Sequence, residues 1–112
     1  MNVVALVGNL ATEVELREVG TDKKVADFVL AIDRPGKEAG ADFVRVSAWD
    51  RQAEACAGYL SKGRRVAVDG RLRSRSWEED GKPRSAVDIV ASRVEFLGGG
   101  AREEVPFEQP AA

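Results

Sequence analysis

Two short segments mix large aromatic rings with arginine at alternate positions. Phe43, Arg45, Ser47 and Trp49 fall on one parity of a nine-residue run. Ala67, Asp69, Arg71, Arg73, Arg75 and Trp77 fall on one parity of another. In an extended strand, alternate residues point to the same side. The opposite parities read Val44, Val46, Ala48 and Val66, Val68, Gly70, Leu72, which suit a core. The ring-bearing parities therefore face outward. An aromatic ring stacks on the π-face of any nucleobase without reading its identity, which is worth roughly 1–3 kcal/mol per base. Arginine beside the ring neutralises phosphate and releases counterions, or stacks its planar guanidinium. Arg84, just past the turn after Trp77, joins this set, as does Lys62 ahead of the second run. Such a face is a sequence-tolerant track for a single strand, because a duplex keeps its bases inside the stack.

Plainer readings compete. Strand aromatics are commonly core, but burying Trp49 on its own parity would turn Arg45 inward as well. An arginine comb also protects an edge strand from pairing, although Trp77 continues the same face. Lys62, Arg64 and Arg65 follow a helical stretch and serve equally well to complement its C-terminal dipole.

These faces need strands to hold them, and the chain supplies five and a helix. Val3–Leu10 is a dense apolar run with Gly8 inside it, a position that marks a bend or bulge. Glu13–Val19 alternates weakly and reads as a continuation of that strand after a break. Lys24–Asp33 places Ala26, Phe28, Leu30 and Ile32 on a core parity. Arg34–Ala41, with Pro35, Gly36 and Gly40, is a loop before the strand Asp42–Asp50. From Arg51 to Leu60 the period changes: Ala53, Cys56, Ala57 and Leu60 recur at helical spacing, with Asp50 as N-cap and Gly63 as stop signal. Arg65–Trp77 and Arg84–Leu97 are strands joined through Glu79-Asp80-Gly81-Lys82, a hairpin turn. The order β-β-β-α-β-β is that of an all-β, five-stranded OB-fold barrel with one short helix. One domain over residues 1–97 is expected, followed by a short Gly-rich and acidic tail over residues 98–112.

Composition narrows the classes further. The 112 residues carry a net charge of −2, with 17 basic and 19 acidic residues. The last twelve residues account for that −2, through Arg102 against Glu103, Glu104 and Glu108, so residues 1–100 are neutral. Within them, Lys62 to Arg75 sets six basic residues against Asp69 alone, a local +5. There is no histidine and one cysteine, Cys56. That removes the usual general base near neutral pH and the common zinc ligand sets, so neither an enzyme, a metal nor a cofactor is expected. Cys56 lies on the apolar helix face and reads as core. A lone cysteine suits a reducing compartment. No basic leader segment precedes the first strand, and a cytoplasmic, nucleoid-associated protein is expected.

Several stretches resemble the bacterial single-stranded DNA-binding protein family. Val4-Ala5-Leu6-Val7-Gly8-Asn9-Leu10 is similar to its first strand and Val29-Leu30-Ala31 to its second. Tyr59-Leu60-Ser61-Lys62-Gly63-Arg64-Arg65-Val66 is similar to its helix exit, and Gly70-Arg71-Leu72-Arg73-Ser74-Arg75-Ser76-Trp77 to its fourth strand. The resemblance covers residues 3 to 97. It implies base-stacking roles for Phe43, Trp49 and Trp77, with Arg45, Arg71, Arg73 and Arg75 on the same face. It also implies a homotetramer, or dimers paired through the first strand, and work in replication, recombination and repair.

The chain departs from the pattern in three places. The loop from Arg34 to Asp42 has no aromatic, and nothing basic precedes Arg17. The family's long linker is nearly missing. Glu103-Glu104-Val105-Pro106-Phe107 is similar to the acidic tip that recruits replication and repair proteins, but five residues follow it. Other OB-fold roles stay open on sequence alone: a primosome-type protein-interaction module with weak nucleic-acid contacts, an RNA-binding domain, or a nuclease.

Overall fold

The computed structural model describes residues 1–36 and 40–98. Six strands and one helix follow in the order β1 (Val4–Leu10), β2 (Glu15–Val19), β3 (Lys23–Asp33), β4 (Ala41–Trp49), α1 (Asp50–Tyr59), β5 (Arg65–Glu79) and β6 (Lys82–Phe96). They form one sheet in the order β1-β5-β6-β4-β3-β2, and an additional pairing of β1 with β3 closes it into a ring. The expected all-β order with its helix between the third and fourth long strands holds. Glu15–Val19 is a strand of its own, however, paired antiparallel to β3 from Glu15↔Asp27 to Val19↔Lys23.

Ring closure depends on two glycines. β1 pairs with β5 over Val4–Asn9 and with β3 at Asn9 and Leu10. A Cβ on Gly8 would lie 2.3 Å from the Ala31 carbonyl oxygen, so β1 crosses β3 closely only because that position carries no side chain. Gly70 is equally confined, with a Cβ falling 2.1 Å from the Val90 carbonyl oxygen. There the β5–β6 register shifts, from Asp69↔Arg93 to Gly70↔Ala91. A bulge of this kind bends and twists a strand, as a closing sheet requires.

The core lies inside the ring. Ala26, Phe28 and Leu30 of β3, Val46 and Ala48 of β4, Val66 and Val68 of β5 and Ile89 of β6 are buried together. Ile32 and Val44 pack against them, partly buried. The helix contributes Ala53 and Cys56, and Leu60 at its C-cap joins them. Asp50 is not the N-cap. Trp49 holds that position with no side-chain cap, while Asp50 begins the helix in the left-handed region, φ 54°. Its carboxylate instead accepts the Lys24 backbone N–H at 3.3 Å and ties the helix start to β3. Gly63, φ 95°, turns the chain after the helix and donates its N–H to the Leu10 carbonyl.

β5 and β6 outrun the ring. The β1–β5 pairing starts at Val4↔Gly70, and the Asn2 side chain extends it by one rung. The Asn2 amide donates to the Leu72 carbonyl at 2.9 Å, and its oxygen accepts the Leu72 N–H at 2.8 Å. Beyond Leu72 the two strands pair only with each other, as far as Glu79↔Lys82. Asp80 and Gly81, φ 55° and 75°, close this arm as a two-residue turn. Leu72, expected in the core by its parity, is therefore 46% exposed: it points to the core side of the sheet where the ring has already ended.

Candidate nucleic-acid interface

The outer face of the sheet can be followed across strands by register. Arg71 of β5 pairs with Val90 of β6, Val90 with Ser47 of β4, and Ser47 with Asp27 of β3. These four stand in one row on one face. Arg73 and Asp88 form the next pair along the arm, then Arg75 with Ala86, then Trp77 with Arg84. On β4, Phe43, Arg45 and Trp49 share the parity of Ser47 and so the same face. The structure thus brings together eight of the nine residues expected to bind. Lys62 lies in the turn before β5, where its backbone N–H is held by the Glu13 carboxylate at 3.3 Å, at the end of that strand away from Trp77.

Ring exposure differs along the face. Phe43 is 65% exposed and Trp77 40%, while Trp49 is half-buried. Two open rings and one sheltered ring therefore present π-surface to solvent on a single curved sheet.

The arginines fall into two groups. Arg45 and Arg75 are anchored on buried carboxylates. Arg45 Nη2 lies 3.3 Å from Asp27 Oδ2, and Ser47 donates its hydroxyl to Asp27 Oδ1 at 2.7 Å. Arg75 grips Asp88 through Nε and through Nη2, the latter 3.4 Å from Oδ1, and its guanidinium carbon sits 5.0 Å from the centre of the Trp77 ring. Asp27 and Asp88 are 3% and 2% exposed. Arg71 and Arg73 have no carboxylate partner among the described residues, and Arg73 keeps a buried Nε without a hydrogen bond. Arg84 meets Glu79 at 3.6 Å across the arm. A guanidinium fixed on a buried carboxylate loses less freedom when a ligand arrives, and one without such a partner carries its full charge toward phosphate.

Sequence reasoning missed Asp27 and Asp88. A carboxylate usually reads as solvent-exposed, and these are buried only because arginines from other strands cover them. The available signal was an acid inside an apolar run, Val25-Ala26-Asp27-Phe28-Val29, on the parity opposite the core. The Glu103-to-Phe107 tail lies outside the described residues.

The model of the single-strand binding protein family matches residues 1–97. The chain belongs to that family. Single-stranded DNA-binding protein 3 of Clostridium acetobutylicum is 43% identical over 106 residues, covering 90% of this chain and 74% of that protein. The single-stranded DNA-binding protein of Clostridium tetani is 42% identical over 108 residues, covering 92% and 74%. Among solved structures, that described as Plasmodium falciparum SSB complex with ssDNA superposes with a TM-score of 0.78 at 30% identity, covering 87% of this chain and 95% of that one. The OB-fold is thus common to family and structure. Among the described residues, no helix is long and apolar enough to cross a membrane.

Proposed function

We propose that the protein binds single-stranded DNA without sequence preference along the outer face of β4, β5 and β6, in the service of replication, recombination and repair in the cytoplasm. The observation that carries this reading is the line of Phe43, Trp49 and Trp77 on one face threaded by Arg45, Arg71, Arg73, Arg75 and Arg84. Bases stack on the rings, the carboxylate-free arginines take phosphates, and the anchored ones hold the rings and the strand in register. Lys62 extends the positive charge at the far end of β5. Binding of this kind makes and breaks no covalent bond, so the protein is no enzyme. The binding domain spans residues 1–97 and the remainder is a short tail, whose Glu103-Glu104-Val105-Pro106-Phe107 segment recruits partner proteins.

Self-association belongs to the same reading. Val3, just ahead of β1, and Ala5 and Val7 within it face outward, with Val3 70% and Val7 45% exposed, an apolar strip suited to pairing with a second copy on the way to a tetramer.

The test is tryptophan fluorescence during titration with oligo-dT at low and high salt. Both tryptophans of the chain lie on the proposed face. Saturable quenching that weakens with salt is expected. A folded protein showing no quenching refutes the reading and favours a protein-interaction module. Equal or tighter binding of oligo-rU points to RNA instead.

A further inference from the structure

The binding face does not stop at β4. Register places Trp49 of β4 opposite Val25 of β3, and Val25 opposite Arg17 of β2. The three stand in one row, across two inter-strand steps of about 4.8 Å each. Val25 is 1% exposed yet lies outside the core cluster, so it is covered on the outer side, where its row neighbours are Trp49 and Arg17. Arg17 is itself fixed. Its Nε lies 3.0 Å from Asp27 Oδ2, the same oxygen that meets Arg45 Nη2. One buried carboxylate thus holds two guanidiniums, from β2 and β4, on either side of β3. The contact to Arg17 uses Nε, which leaves the two terminal amino groups for another acceptor, and the Arg17 side chain is 54% exposed.

We propose that Arg17 is a further DNA-contacting residue, which takes the phosphate of a nucleotide adjacent to the base stacked on Trp49. The inference rests on the binding reading above and extends its track over β3 to β2, with Asp27 as the positioning residue shared by Arg17 and Arg45. Glu15, directly opposite Asp27 on the same face, and Glu13 rim a recess of about 410 Å³ beside Arg45. Their charge turns the phosphates away from that recess and toward Arg17.

The experiment is the salt dependence of oligo-dT affinity for the full chain, wild type against Arg17→Ala and Arg17→Gln. The glutamine variant can still hydrogen-bond Asp27 but carries no charge, and so guards against a folding defect. Both variants should lower the slope of log K against log salt by about 0.7 and weaken binding about fivefold at 0.1 M salt, as for one lost phosphate contact on a single strand. Maximal tryptophan quenching should be retained. In a Trp49→Ala background the Arg17→Ala effect should shrink below about twofold, because neighbouring contacts couple. A slope that stays at its wild-type value in Arg17→Gln overturns the inference, leaving Arg17 as a structural partner of Asp27. Full additivity with Trp49→Ala overturns the placement beside that ring. If the wild type shows no quenching at all, the binding reading fails first and this inference falls with it.

Discussion

Trp77→Ala separates stacking from charge. Trp77 stands on the arm, five residues past the last rung that ties β5 to the first strand, and its ring is 40% exposed. Nothing in the core cluster depends on it. The change removes the Arg75 guanidinium's contact over its ring, 5.0 Å from the centre. An exposed cation–π pair of this kind is worth about 0.5–1 kcal/mol of folding stability. The binding loss is larger. One stacked base is worth about 1–3 kcal/mol, so affinity for oligo-dT should fall about 5- to 150-fold at fixed salt. Because no phosphate contact is lost, the slope of log K against log salt should hardly move. Arg73→Ala should do the converse, flattening the slope by about 0.7, so that its loss of affinity is greatest at low salt and shrinks as salt rises. The assay follows quenching of the remaining Trp49 at several salt concentrations. A Trp77→Ala loss below about twofold, or a slope change matching that of Arg73→Ala, would refute the division between rings and arginines.

Removing Arg75 leaves Asp88 buried without its partner, so Arg75→Ala should cost about 1–3 kcal/mol in urea unfolding, while Arg71→Ala, which uncovers no carboxylate, should cost under about 0.5. Equal costs would show that Asp88 does not depend on its guanidinium. Gly8→Ala drives a methyl group against the Ala31 carbonyl and should lower the unfolding free energy by at least about 1–3 kcal/mol, checked by the same curve. Burial pushes the Cys56 thiol up to about 11 from an ordinary 9.0. The folded state thus holds the proton more tightly, and the stability this confers is complete below pH 9 and is lost as pH rises toward 11. A native-state thiol titration at pH 8 should find Cys56 unreactive until urea unfolds the chain, and fast labelling without denaturant would contradict its burial.

The sequence made legible whatever short-range pattern controls. The alternation in Asp42–Asp50 put Phe43, Arg45 and Trp49 on one side, because a strand's period of two leaves no other arrangement. Asp80-Gly81 announced its two-residue turn because those residues accept left-handed backbone at small cost. The 3–4 spacing of Ala53, Cys56 and Leu60 gave the helix its buried stripe. What stayed hidden depends on partners far along the chain. Leu72 has a core parity, but its exposure is decided by where pairing with the first strand begins, at Asn2 seventy residues earlier. Asp50 looked like a helix cap, yet Lys24 offers its carboxylate a different donor. Asp27 and Asp88 owe their burial to Arg17, Arg45 and Arg75, which lie on other strands. Arg17 itself lay in a weakly alternating stretch that showed no strand of its own until its pairing with β3 was known.

The double pairing of β1 also sets a timetable for the chain as it is made. The first strand is complete at Leu10, and β3 offers it partners only at Ala31 and Leu30. Its remaining partners, Arg65 to Gly70, leave the ribosome roughly 3–12 s later at ordinary synthesis rates of about 5–20 residues per second. During that interval an apolar strand waits with open hydrogen-bonding edges, and on crowded polysomes its nearest alternative partner is the same strand on a neighbouring nascent chain. A fold whose opening segment is its closing piece therefore has its greatest exposure to misassembly before β5 exists.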